Sequence, residues 1–95
     1  MRNYQTSKIM IIKITPTGMA IAKRFALALD VLINQRKLRG VKTFTDAHDI
    51  NYWNFSTFLK EPSKRVLKTE WLAYLVQDHN VNADWLLTGV GNMFK

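Results

Sequence analysis

The sequence predicts an all-α fold of mostly short helices. Three observations carry that expectation. Apolar residues recur at helical spacing through most of the chain. Residues that suit helix starts and stops (Thr, Asn, Asp, Gly, Pro) punctuate those stretches. The chain is 47% hydrophobic and 22% charged over 95 residues, a balance that fits one packed domain. Residues 1–16 are expected to form an N-terminal arm, and residues 17–95 the helical domain.

The arm opens on "MRNYQTSK", which has no periodicity. "IMIIKI", residues 9–14, has the Ile content of a short β-strand, and Pro16 in "TPTG" would end it in a turn. A strand there needs a partner, either a second chain or the helices of its own. Both options stay open.

The longest helical stretch is residues 17–38. Ile21, Phe25, Ala28, Leu29 and Leu32 make one apolar face, and Leu27 and Val31 add apolar surface on another side. Gly40 is expected to stop this helix, with Arg36, Lys37 and Arg39 in its last turn. Thr43 and Asp46 have the spacing of a capping box, so a short helix is expected from about Phe44 to His48. Asp49 can take the left-handed turn conformation, and Asn51 can cap the next helix, "YWNFSTFLK". In that helix Phe55, Phe58 and Leu59 face inward, while Tyr52, Trp53, Ser56, Thr57 and Lys60 face outward.

Pro62 closes that helix and opens the basic loop "EPSKRV". "TEWLAYLVQDH" is a fourth helix with Thr69 as its expected cap and Leu72, Leu75 and Val76 as its apolar contacts. Asn82 starts a last short helix, "NADWLLT", and Gly89 stops it. That gives five helices.

Composition narrows the function. The chain has no cysteine, which excludes disulfides and thiolate metal sites. His48 and His79 lie 31 positions apart without a ligand pattern, so no metal site is expected. No nucleophile, base and acid combination and no glycine-rich phosphate loop stands out, so no enzyme and no cofactor are expected. The apolar run "IMII" is far short of a membrane span, and the protein is read as cytoplasmic. Net charge is +7, unevenly placed: residues 1–42 carry +8 and residues 43–95 carry −1. That asymmetry points to a polyanionic partner, with nucleic acid first.

Two stretches carry a family resemblance. "FTDAHDINYWNFSTFL" resembles the pattern Leu-Ala, three residues, Gly-Val-Ser, two residues, Thr-Ile-Ser, one residue, Ile of the lambda-repressor-like helix-turn-helix family. Phe44 and Thr45 fall on Leu-Ala, and Asp49, Ile50 and Asn51 on Gly-Val-Ser. Asn54 falls on the Thr, and Phe55 and Phe58 on the two Ile. "VNADWLLTGVGNMF" is similar to the ending of many phage and bacterial repressors of this family: Asn, two residues, Trp-Leu-Leu-Thr-Gly, one residue, Gly, one residue, Met and an apolar residue. The resemblance spans about residues 18–94. The chain departs from the pattern at Thr45, His48 and Asp49. It also carries Tyr52 and Trp53 where short polar or amide side chains are commoner.

The resemblance implies a compact five-helix domain whose third helix reads the major groove. By position, Tyr52, Trp53, Asn54, Ser56 and Thr57 would meet bases. Lys42 and Thr43, ahead of the second helix, and Lys60, Ser63, Lys64 and Arg65, after the third, would hold phosphates. The function this implies is a sequence-specific DNA-binding protein, a phage-type or mobile-element transcriptional repressor. It would act on double-stranded DNA as a homodimer, without membrane association, a small-molecule ligand or a cofactor. The alternative is a protein-interaction module on the same fold, antirepressor-like or antitoxin-like, with Tyr52 and Trp53 as anchors.

Overall fold

The computed structural model describes residues 14–95, and the expected strand over residues 9–14 falls outside them except for Ile14. Five helices follow: α1 (Pro16–Asn34), α2 (Val41–Ala47), α3 (Tyr52–Lys60), α4 (Thr69–Asp78) and α5 (Ala83–Thr88). A 3-10 turn (Pro62–Lys64) lies between α3 and α4. Among the described residues there is no strand, and the architecture is all-α. No helix among them is long and apolar enough to cross a membrane.

"TPTG" starts a helix instead of making a turn. Thr15 is the N-cap and its Oγ1 accepts from the Gly18 amide at 3.0 Å. Pro16 takes the first helical position, where its missing N–H would be unsatisfied anyway. At its other end α1 stops at Asn34, four residues earlier than the sequence suggests. Gln35 is the C-cap and Arg36 takes a left-handed φ of 63°. Arg36, Lys37 and Arg39 therefore lie in a loop beyond the helix.

Gly40 is the N-cap of α2, with extended backbone. So α2 begins earlier than expected, and Lys42 and Thr43 lie inside its first turn rather than ahead of it. No side chain caps it, and the Thr43–Asp46 capping box does not form. Asp46 instead pairs with Lys42, Nζ to Oδ1 at 3.2 Å. Thr69 likewise begins α4 rather than capping it, with Lys68 at the cap position.

An aromatic core fixes the layout. Phe25 of α1 is fully buried and meets Phe44 of α2 and Phe55 and Phe58 of α3 edge-on, at centroid distances of 6.3, 5.8 and 6.1 Å. Trp71 of α4 closes the cluster against Phe55 at 4.9 Å and Phe58 at 5.5 Å. Edge-to-face pairs of this kind add about 0.5–1.5 kcal/mol each beyond the burial of their area. Ala22, Ala28, Leu29 and Leu32 complete the inner face of α1.

The C-terminal segment locks on by both backbone and side chain. Asn82 Oδ1 accepts from the Asp84 amide and starts α5, and Gly89 ends it at φ 83°. The chain then returns so that Phe94 bridges Val81, and the Asn82 amide donates to the Met93 carbonyl at 2.8 Å. Leu86 is fully buried, while Trp85, Met93 and Phe94 pack half-buried against the core. The distinctive "WLLTGVGNMF" is thus scaffold.

Candidate nucleic-acid interface

The second and third helices meet at a tight corner. Asp49 adopts a left-handed φ of 54°, a conformation that Asp tolerates better than most residues. The Ile50 amide donates to the Thr45 carbonyl at 2.9 Å across the corner. Asn51 Oδ1 then accepts from the Asn54 amide at 3.0 Å and sets the start of α3. Thr45, where the family pattern has Ala, is fully buried, and its hydroxyl donates to the Lys42 carbonyl at 3.0 Å. The extra polar atom is satisfied, so the corner accommodates it.

Helix α3 divides cleanly. Phe55 and Phe58 are buried, so the opposite side is held outward. Tyr52 and Asn54 are exposed, and Trp53 is 75% exposed, the most open large apolar side chain described. Ser56 and Thr57 are half-buried. The Tyr52 and Trp53 rings meet edge-on with centroids 5.7 Å apart. Lys42 reaches across from α2, with Nζ 5.7 Å from the centre of the Tyr52 ring. An exposed amide, a phenol hydroxyl and an indole N–H thus stand at the start of one rigid helix, next to a cation. Such groups can donate to base edges, and the rings can cover thymine methyls.

The other residues expected to hold phosphates, apart from Thr43 in α2, lie at the far end of α3. Lys60, Ser63, Lys64 and Arg65 are all exposed, and α3 packs directly against the 3-10 turn that carries Ser63 and Lys64. Lys64 contacts Glu61 at 3.2 Å, and Arg65 bonds the Lys64 carbonyl at 3.0 Å. The Lys64–Glu61 and Lys42–Asp46 pairs are both well exposed. Exposed pairs are worth at most about 1 kcal/mol, so either lysine exchanges its partner for another anion cheaply.

His48 sits behind the corner. Its ring stacks on Tyr74 with centroids 4.3 Å apart, and its Nε2 faces His79 Nε2 at 3.4 Å. Its Nδ1 lies 3.7 Å from an Asp78 carboxylate oxygen. Burial lowers the pKa of His79, nearby His48 lowers it further, and Asp78 opposes both. Among the described residues no group of three His, Cys, Asp or Glu side chains is assembled around an ion-sized space.

Two features escaped the sequence reading. Arg24 does not add to an outer basic surface: Nε donates to the Leu86 carbonyl at 2.8 Å and Nη2 to the Leu87 carbonyl at 3.0 Å, tying α1 to the end of α5. Arg36, Lys37 and Arg39 are the opposite case, released into an exposed loop beside α2. The charge asymmetry of the chain was the one signal for them. No protein-family model, curated protein or solved structure matches the chain.

Proposed function

We propose that this chain is a sequence-specific DNA-binding protein of the phage-repressor type, with α3 as the helix that enters the major groove. The observation that carries the reading is the division of α3. Its inner side is locked in the aromatic core, while Tyr52, Trp53 and Asn54 stand outward with cations beyond both ends. Asn54 is suited to a bidentate contact with adenine, and Ser56 and Thr57 to a base or phosphate. Lys42, Thr43, Lys60, Ser63, Lys64 and Arg65 hold phosphates and set the register. The resemblance of the central pattern and of "WLLTGVGNM" to lambda-repressor-like domains supports this assignment.

The protein binds its operator as a homodimer in the cytoplasm and represses by occupying the site. Affinity comes from counterion release by Lys and Arg, and specificity from α3. A band-shift series on fragments of the host DNA at rising salt tests the reading. One fragment retained at salt that releases the bulk is the expected result; uniform release of every fragment would refute sequence-specific binding.

The second reading is a protein-interaction module, favoured by the single observation that Trp53 is so open. Aromatic side chains of this kind anchor protein interfaces. Under that reading, replacing Lys64 and Arg65 by Ala leaves partner capture unchanged. Under the DNA reading it weakens binding on all sequences alike.

A further inference from the structure

We infer that the loop between α1 and α2 is a second phosphate clamp, which extends the DNA contact beyond the helix pair through Arg36 and Arg39. The inference rests on the DNA-binding reading above and adds residues that the family pattern does not assign.

The backbone of the loop is tied to the end of α1. Lys37 and Leu38 both donate backbone N–H bonds to the Leu32 carbonyl, at 2.9 and 3.2 Å, and Arg36 donates to the Ile33 carbonyl at 3.0 Å. Leu38 is only 7% exposed and pins the loop to the core. Its neighbours Lys37 and Arg39 are exposed, one on each side of that anchor. Arg36 occupies the left-handed region at φ 63°, which glycine or asparagine would enter more easily. That conformation ends α1 and sets the direction in which the loop leaves the helix.

The loop also joins the rest of the basic surface. Arg36 and Arg39 line an open cleft of about 690 Å³ with Ile33, Leu38 and Thr43. Thr43 lies in the first turn of α2 next to Lys42, and Lys42 reaches Tyr52 at the start of α3. The first turn of α2 therefore carries both Thr43, on the wall of that cleft, and Lys42, which reaches the reading helix. Among the described residues, neither Arg36, Lys37 nor Arg39 pairs with a carboxylate. Guanidinium groups flanking a cleft with a hydroxyl on its wall suit the two free oxygens of a phosphodiester, which arginine takes in bidentate fashion.

The test compares the full-length wild type with Arg36→Gln/Arg39→Gln. The probes are a short duplex enriched by the wild type from a randomised library and a scrambled duplex of equal length. Anisotropy titrations between about 50 and 200 mM salt give the slope of log affinity against log salt. The expected slope is shallower by about 2, one unit for each phosphate lost, with the ratio between the two duplexes unchanged. Arg36→Lys/Arg39→Lys, which keeps the charge, should return most of the slope.

An unchanged slope for the Gln variant, a loss confined to the enriched duplex, or failure of the Lys variant to recover would overturn the clamp. Failure of the wild type to enrich any duplex is a different outcome. It would overturn the DNA-binding reading itself, and the clamp with it.

Discussion

His48 and His79, 31 positions apart in the sequence, meet head-on with their Nε2 atoms 3.4 Å apart. The contact joins the end of α2 to the end of α4. One neutral arrangement satisfies it: His48 turns Nδ1–H toward Asp78 and accepts at Nε2 from His79. A proton added to both rings sets two N–H groups against each other. Burial and His48 lower the pKa of His79 below 6.5, so the folded protein binds this proton less readily than the unfolded chain. The unfolded state then holds more protons in that window, and stability falls as the pH drops through it. Urea midpoints should be flat above neutrality and decline below about pH 6.5. His79→Gln should flatten that decline; an equally steep decline in the variant would show that the histidine pair is not its source.

Arg24 acts as a cap for a helix that is 62 positions away in sequence. Its bonds to the Leu86 and Leu87 carbonyls satisfy two acceptors at the end of α5 and place a cation where the helix dipole favours one. Arg24→Ala should cost about 1.5–3 kcal/mol, the range for bonds to a charged group. Thermal unfolding of Arg24→Ala and Arg24→Lys should rank both below wild type, with Lys recovering part of the loss. Equal melting temperatures for Ala and wild type would remove this role.

Phe55 of α3 touches aromatic rings on α1, α2 and α4. It contacts Phe25, Phe44 and Trp71 and is fully buried. Phe55→Ala should cost about 3–5 kcal/mol and bring so small a domain close to unfolding. Phe55→Leu, which keeps more of the volume, should remain folded at a smaller cost. Denaturant titrations of both variants check the order.

Trp53 is predicted to separate binding from stability. At 75% exposure its replacement by Ala should change stability by less than about 0.5 kcal/mol. DNA affinity should nevertheless fall by about tenfold or more, because a central aromatic contact is worth on the order of 2 kcal/mol. A loss of stability with unchanged binding would reassign Trp53 to packing.

Much of the fold was legible because its signals are local. Asn51 and Asn82 cap, Asp49 turns and Gly89 stops, each through one side chain or one backbone angle within four residues. The end of α1 and the start of α2 were not legible. The left-handed residue that ends α1 is Arg36, not a glycine, so Gly40 reads as a stop when it in fact begins α2. Thr43 and Asp46 matched a capping pattern, but the helix had already started at Val41 and Asp46 turned to Lys42 instead. The burial of Trp71 and the roles of Arg24 and His79 depend on partners far away in sequence, which spacing does not reveal. For the candidate site, the outward face of α3 was legible from the spacing of Phe55 and Phe58. Arg36, Lys37 and Arg39 read as the last turn of α1, because nothing in their spacing shows that the helix has already ended at Asn34.

The central claim is that α3 reads DNA sequence. Its most direct measurement is the ratio of affinities for a duplex selected from a randomised library and for a scrambled duplex, near physiological salt. The account predicts a ratio on the order of 10³ or more, which Asn54→Ala reduces while leaving affinity for the scrambled duplex intact. A ratio close to one, at any affinity, would contradict it.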